Sequence, residues 1–173
     1  MFIYEKYSYK ISKNNLEILF SFKIEPDISF KPKIIIELPK SDFTRKKSDF
    51  KVYDNLIFHL GLMEIPSYWK ATCSPIIEIR AGYLNPEQIK WWKDLIINGM
   101  GQFFYENKID WRKKNFLRFQ NPNYAKSEKS PTLKRPMSGF KERYLVPFAG
   151  GRDSIVTLEE LKKQKKEIAL FTV

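Results

Sequence analysis

Two adjacent glycines, Gly150 and Gly151, constrain the fold of this chain more than any other feature of its sequence. They follow an apolar run at residues 144–148 and precede a stretch of helical character, which a second apolar run at residues 168–173 ends. This order predicts a strand, a glycine turn, a helix and a second strand. Because glycine adopts backbone angles closed to other residues, the turn can bring main-chain amides close to a ligand.

The residues after the glycine pair add the chemistry of a phosphate site. A helix that starts at such a turn leaves its first amide groups without partners, and these attract anions. Asp153 can hold a magnesium ion that bridges phosphates, and the Ser154 hydroxyl can donate to them. The alternative is a plain strand-to-helix turn in which Asp153 or Ser154 only caps the helix. Neither the lysine-bearing phosphate loop nor the three-glycine dinucleotide fingerprint is present in the sequence.

The stretch Ala149-Gly150-Gly151-Arg152-Asp153-Ser154 resembles the Ser-Gly-Gly-x-Asp-Ser signature of the PP-loop ATP pyrophosphatases. This resemblance implies that ATP and magnesium bind at the turn and that the enzyme adenylates its substrate and releases pyrophosphate. It also places Phe171 and Thr172 on the strand that lines the adenine pocket in that family. Ala149 departs from the signature, so one hydroxyl contact to phosphate is missing.

Three further segments, at residues 67–75, 87–93 and 101–105, resemble the amino-terminal half of the UDP-N-acetylmuramoyl-L-alanyl-L-glutamate epimerases. The resemblance implies ATP-dependent epimerisation of the terminal L-glutamate of a UDP-linked muropeptide to D-glutamate in peptidoglycan precursor synthesis. The sequence does not identify the catalytic base. The small-molecule substrate, rather than nucleic acid or a membrane, is the expected partner.

The expected fold class is an α+β amino-terminal domain followed by the first β-α-β unit of an α/β PP-loop nucleotide-binding domain. The expected boundaries are residues 1–119 for the amino-terminal domain, 120–143 for a linker or loop and 144–173 for the start of the ATP-binding domain. A parallel nucleotide-binding sheet needs about five strands, more than residues 144–173 can supply. The chain is therefore expected to be an amino-terminal fragment that is inactive alone.

Hydrophobic periodicity predicts the elements of the amino-terminal domain. A helix runs through Val52, Leu56, Leu60 and Met63 and is limited by Pro66. A second helix begins with a capping box at Asn85, and the glycines at 99 and 101 weaken its second half. Predicted strands cover residues 5–11, 16–24, 32–38, 75–81 and 115–119.

The net charge of +11 does not by itself indicate a nucleic-acid partner. The lysines are scattered, and their densest cluster, at residues 162–166, lies at a predicted helix end, where cations favour the helix dipole. No nucleic-acid recognition motif accompanies the charge. A single cysteine and the lack of a signal peptide or long apolar run fit the cytoplasm. Two alternatives remain, a tRNA-modifying or amidating PP-loop enzyme and a non-enzymatic basic binding module.

His59 and Cys73 are interpreted as structural residues. His59, the only histidine, lies among apolar residues on a predicted helix, and Cys73 has no acid–base partner near it in sequence. Trp91 and Trp92 are adjacent on one helix and cannot both face the core. One of the two tryptophans is therefore expected to cover an interdomain or substrate surface.

Overall fold

The computed structural model describes residues 1–12, 14–38, 50–122 and 143–172. The chain divides into two compact units, Met1–Leu133 and Lys134–Val173. Most of the linker expected at residues 120–143 lies outside the described residues. Among the described residues, no helix is long and apolar enough to cross a membrane.

The first unit is an α+β fold in which a helix covers a mixed sheet. Its elements, in chain order, are β1 (Phe2–Ile11), β2 (Asn15–Ile24), β3 (Ile28–Phe30), β4 (Lys33–Glu37), α1 (Phe50–Trp69), β5 (Ile76–Ile79), α2 (Pro86–Gly99), α3 (Gly101–Glu106) and β6 (Arg118–Gln120). The six strands follow the order β3-β2-β1-β5-β6, with β4 also paired to β2. β1 and β2 form an antiparallel hairpin, whereas β5 runs parallel to both β1 and β6.

The core of the first unit is aromatic and lies between α1 and the β1–β2 hairpin. Tyr4 of β1 and Phe22 of β2 are fully buried, with ring centroids 5.1 Å apart. The Tyr4 ring stacks on Phe58 of α1 with centroids 5.9 Å apart and planes 9° apart. Because aromatic residues bury large areas, this contact fixes the helix to the sheet.

The predicted capping box at the start of α2 is confirmed. Asn85 Oδ1 accepts a hydrogen bond from the Gln88 amide at 2.8 Å, and Gln88 Oε1 accepts one from the Asn85 amide at 2.9 Å. The break expected near the two glycines is also found, since α2 ends at Gly99 and α3 begins at Gly101. Local sequence therefore sets both ends of this helix.

The prediction that Pro66 ends the first helix is wrong, because α1 continues to Trp69 with Pro66 inside it. Proline removes one helical hydrogen bond, but Ile65 and Trp69 on either side of it are buried to 1% and 0% exposure. The Trp69 indole also donates a hydrogen bond to the Ser74 carbonyl at 2.8 Å. Burial of these two side chains stabilises the helix more than Pro66 destabilises it.

Several predicted strands differ from the observed ones in extent. β1 begins at Phe2 rather than at residue 5, and β5 covers only Ile76–Ile79 of the expected 75–81. The strand expected at residues 32–38 is observed as β4, and a separate short strand, β3, precedes it on the same edge of β2. The strand expected at residues 115–119 begins later, at Arg118, because Asn115 has a positive φ of 66° that ends regular extended structure.

The second unit contains β7 (Tyr144–Pro147), α4 (Arg152–Lys163) and β8 (Ile168–Phe171). β7 and β8 are parallel, with Tyr144 opposite Ile168 and Pro147 opposite Phe171. The predicted order of strand, glycine turn, helix and strand is therefore observed. Val146 is buried in this unit, whereas α4 contains no buried residue.

A matched pair of glycine substitutions tests the close packing of α1. A Cβ at Gly61 would clash with the Tyr4 hydroxyl oxygen and lie 2.9 Å from Phe20 Cδ1, whereas a Cβ at Gly99 would meet nothing within 4 Å. We expect Gly61→Ala to lower the free energy of unfolding by about 1–3 kcal/mol through overpacking. Gly99→Ala should leave it unchanged or raise it by up to about 1 kcal/mol. Denaturant unfolding measures both, and equal effects would contradict the packing described.

The adjacent tryptophans provide a second test. Trp92 is 5% exposed and Trp91 is 58% exposed, so the expectation that only one of them faces the core is confirmed. Trp92→Ala should cost about 3–5 kcal/mol of unfolding free energy by opening a cavity. Trp91→Ala should cost less than about 1 kcal/mol. Similar large losses in thermal unfolding of the two variants would refute this assignment.

Candidate functional site

The glycine turn lies at the carboxyl ends of the two parallel strands of the second unit. β7 leads into the turn, and the Phe148 amide donates a hydrogen bond to the Phe171 carbonyl at the end of β8, at 2.8 Å. The predicted site residues at 150–154 and at 171–172 are therefore brought to one edge of this unit. In open parallel sheets, ligands bind at the carboxyl edge of the strands.

The two glycines of the turn have different structural requirements. Gly150 has a φ of +75°, in the left-handed region that favours glycine. Gly151 has the ordinary angles φ −74° and ψ 158°. A Cβ at either position would meet nothing within 4 Å. The fold thus explains a glycine at position 150, but neither backbone strain nor crowding explains the glycine at 151.

The first turn of α4 presents main-chain amides at an exposed surface. Gly151 is the N-cap residue, and no side chain caps the helix. The Ile155 amide donates a hydrogen bond to the Gly151 carbonyl at 3.2 Å. The amides of residues 152–154 come before it, in the first turn, where a helix provides no carbonyl partner of its own. The helix dipole adds partial positive charge at the same point. This geometry can bind an anion.

The side chains of the turn are placed as follows. Arg152 and Asp153 are exposed in the first turn of α4. Ser154 is half-buried, and its Oγ donates a hydrogen bond to the Gly151 carbonyl at 2.7 Å. The serine hydroxyl therefore bonds its own helical turn in this structure, and it must rotate to reach a phosphate.

Phe171 and Thr172, at and just beyond the end of β8, are both exposed. Phe171 is 45% exposed, so an aromatic residue is accessible at the same strand end as the turn. A flat aromatic side chain is suited to contact with a nucleobase. Among the described residues, no group of three or more His, Cys, Asp or Glu side chains could hold a metal ion. Any cation here would need ligands from a phosphate as well as from Asp153.

His59 and Cys73 lie in structural surroundings, in agreement with the interpretation from sequence. His59 stacks on Trp92 with ring centroids 5.9 Å apart, and burial lowers the pKa of its imidazole. Burial raises the pKa of the Cys73 thiol, whose Sγ lies 3.8 Å from the Lys70 carbonyl oxygen. A thiol with a raised pKa is not an activated nucleophile.

Sequence reasoning missed a polar cavity of about 380 Å³ in the first unit. Residues 5–9 of β1 line it together with Asp54, Arg80 and Ala81. A β-bulge at Glu5 shifts the register between Tyr4 and Lys6 and marks one end of the cavity. Bulges are frequent beside functional sites, but a single sequence gives no signal for this one.

Comparison with known proteins places the chain in a family. The family model described as MurL N-terminal domain matches residues 1–173. The chain is 26% identical over 127 residues to the UDP-N-acetyl-alpha-D-muramoyl-L-alanyl-L-glutamate epimerase of Xanthomonas oryzae pv. oryzae (strain MAFF 311018). That match covers 73% of this chain and 26% of the relative, so the chain spans about a quarter of the relative's length. No solved structure matches the chain significantly. The chain belongs to the MurL N-terminal domain family.

Proposed function

We propose that this chain is the amino-terminal part of an ATP-dependent epimerase, which converts the terminal L-glutamate of UDP-N-acetylmuramoyl-L-alanyl-L-glutamate to D-glutamate for peptidoglycan precursor synthesis. The family match over the whole chain and the epimerase relative support the reaction. The exposed, uncapped glycine turn at the head of α4 supports the use of ATP. Its position at the carboxyl ends of two parallel strands is the single observation that carries the nucleotide site.

The ATP phosphates would bind the amides at the start of α4. Gly151 supports this role, because neither its angles nor its surroundings require glycine, whereas a phosphate against the main chain does. Arg152 supplies a positive charge beside the phosphates, and Phe171 and Thr172 would lie beside the adenine. Ala149 offers no hydroxyl to the phosphates.

The glycine turn offers a magnesium ion one carboxylate ligand. Asp153 is exposed in the first turn of α4 and supplies a carboxylate ligand. Mg²⁺ is commonly held by one or two carboxylates together with substrate phosphates and water, so a single aspartate is sufficient when ATP is bound. The ion would neutralise charge on the phosphates as pyrophosphate leaves.

The chemistry explains why an epimerase would use ATP. The Cα–H beside an ionised carboxylate is a poor acid, because deprotonation adds a second negative charge to the same atoms. When a carboxylate oxygen attacks the α-phosphorus of ATP, pyrophosphate leaves and the carboxylate becomes the acyl group of an adenylate, which no longer carries the carboxylate charge because the remaining negative charge lies on the AMP phosphate. A base then removes the Cα proton, and reprotonation on the opposite face gives the D configuration. Water finally cleaves the adenylate to the free acid and AMP.

The ATP-binding domain would extend beyond the one β-α-β unit described. α4 has no buried residue, and large apolar side chains are exposed on both the helix and the strands. They are Leu145, Ile155, Val156, Leu170 and Phe171. In parallel α/β folds, neighbouring strands and helices cover such residues. We assign the catalytic base to no residue of this chain.

A glycine substitution tests the nucleotide site directly. In the product of the complete reading frame, Gly151→Ala should reduce ATP-dependent pyrophosphate release with the muropeptide at least about tenfold, because a methyl group would separate phosphate from the amides. The melting temperature should not change, since a Cβ at this position meets nothing within 4 Å.

Gly101→Ala is the matched control, because a Cβ at Gly101 also meets nothing within 4 Å. It should leave pyrophosphate release at the wild-type rate. Equal rates for wild type, Gly151→Ala and Gly101→Ala would refute the assignment of the glycine turn as the phosphate site.

A further inference from the structure

Helix α2 exposes an aromatic side chain whose orientation is set by the core. Trp91 is 58% exposed. Its ring lies perpendicular to that of Trp92, with centroids 4.9 Å apart and planes 88° apart, which is one of the geometries that aromatic pairs prefer. Trp92 is buried and stacks on His59 of α1. The exposed indole is therefore held in place by a fixed neighbour, and a ligand that contacts it loses little binding free energy to ordering it.

Polar groups lie on the same face of α2 as this indole. Residues three, four and seven positions further along a helix share one face, and from Trp91 these residues are Asp94, Leu95 and Asn98. Asn98 Nδ2 donates a hydrogen bond to Asp94 Oδ1 at 2.9 Å, which positions both side chains. We name Trp91, Asp94, Leu95 and Asn98 the α2 platform.

The Asp94–Asn98 pair keeps further hydrogen-bonding capacity. Its own bond uses one carboxylate oxygen and one amide hydrogen. The second carboxylate oxygen can accept a hydrogen bond, the second amide hydrogen can donate one, and the amide oxygen can accept one. Both residues are exposed, so a ligand can reach these groups. Hydroxyl groups, which donate and accept, suit all three positions.

A pyranose ring matches this combination of groups. It presents C–H groups on its faces and hydroxyl groups around its rim. The C–H groups are weakly positive and pack against the negative face of an indole, while the hydroxyls bond to polar side chains beside it. Leu95 is 37% exposed and extends the apolar surface by one helical turn from Trp91. The platform therefore combines an apolar area with hydrogen-bonding groups at its edge, as a sugar site requires.

The carboxylates on this face argue against a nucleotide ligand. Glu87, four residues before Trp91, is exposed, as is Asp94. At about 100° per residue, Glu87 and Asp94 lie within about 60° of Trp91 around the helix axis, and the cation Lys90 lies about 100° away. The phosphates of a nucleotide whose base stacked on the indole would approach these carboxylates and be repelled. An uncharged sugar has no such cost.

The size of the apolar area argues against a protein partner. Trp91 and Leu95 are the exposed large apolar side chains of α2. An aromatic side chain buries roughly 150–250 Å², whereas a stable protein–protein interface needs about 800 Å² from each partner. Two side chains supply too little area for a protein interface, but they are sufficient for one sugar ring.

We infer that the α2 platform binds a pyranose sugar, with the ring stacked on Trp91 and its hydroxyls bonded to Asp94 and Asn98. The identity of the sugar rests on the proposed function, in which it is the N-acetylmuramoyl group that carries the peptide of the substrate. The platform would hold the sugar and take no part in adenylation.

The test uses the ¹⁵N-labelled 173-residue chain and methyl N-acetyl-α-D-glucosaminide, an uncharged pyranose, as the probe. The chain has four tryptophans, so the indole N–H resonances report on each of them. Titration should shift the Trp91 indole resonance saturably, with a dissociation constant in the millimolar range, and leave those of Trp69 and Trp111 in place. Trp91→Ala should weaken binding at least about tenfold. Unchanged resonances of the three remaining indoles would show that this variant is folded.

A matched pair of aspartate variants tests the polar part of the platform. Asp94→Ala should weaken binding about fivefold through loss of a hydrogen bond to the sugar. Asp110→Ala is the control, because Asp110 is also an exposed aspartate that accepts a hydrogen bond from one neighbouring side chain, that of Arg112. Its affinity should remain within about twofold of wild type.

Several results would overturn the inference. They are no shift of the Trp91 indole with the probe up to about 50 mM, equal affinities for wild type and Trp91→Ala, or equal affinities for the two aspartate variants. A larger Trp91 shift with uridine monophosphate than with the sugar at equal concentration would instead assign the surface to a nucleobase. A concentration-dependent dimer that Trp91→Ala abolishes would assign it to a second copy of the chain.

Pyrophosphate release by the product of the complete reading frame separates this inference from the proposed function. Sugar binding at Trp91 without pyrophosphate release would support the platform and refute the proposed function. Pyrophosphate release without sugar binding would refute the platform alone. Where both are found, Trp91→Ala should raise KM for the muropeptide about tenfold and leave kcat within about twofold, because the sugar is bound equally in the ground state and the transition state.

Discussion

The packing of Tyr4 is the contact on which the first unit depends. Its ring stacks on Phe58, and its hydroxyl lies so close to Gly61 that only glycine fits at that position of α1. Its carbonyl accepts two amides from the end of β5, and the bulge of β1 begins at the next residue. One residue therefore joins the helix to the sheet, ends the β1–β5 ladder and forms the start of the polar cavity. The arrangement leaves the Tyr4 hydroxyl buried with no hydrogen-bond partner among the described residues, a cost of roughly 1–3 kcal/mol that the aromatic core must exceed.

The two units differ in how far the residues around their candidate sites are buried. The first unit fully buries a cluster of aromatic residues that includes Phe2, Tyr4 and Phe22. Hydrogen bonds from Ser21 to Glu5 and from Arg80 to Glu78 hold side chains beside its polar cavity. In the second unit the glycine turn and the whole of α4 are at the surface. A phosphate site made from main-chain amides needs little side-chain support, because the helix itself orients the donors. A site made from charged side chains needs hydrogen bonds that hold those side chains in place, such as the bonds to Glu5 and from Arg80.

The sequence predicted the features that depend on residues near each other in the chain. The capping box at Asn85, the break between Gly99 and Gly101 and the order of β7, the glycine turn, α4 and β8 all follow from local geometry. Pro66 misled the prediction because Ile65 and Trp69 gain more from burial in a core built by distant strands than the helix loses. The polar cavity was not predictable, because it arises from a bulge, the end of β5 and the position of α1. The hydrophobic periodicity of the sequence indicates none of these three features.

The charge of the glycine-turn site suits one member of the proposed substrate pair. The amides and dipole at the start of α4 favour a polyanion, and Arg152 beside them adds positive charge. An enzyme that adenylates a peptide carboxylate must distinguish ATP from an acidic acceptor, although both are anions. A site made from closely spaced main-chain amides responds to charge density rather than to net charge, and it would therefore favour a triphosphate over a single carboxylate.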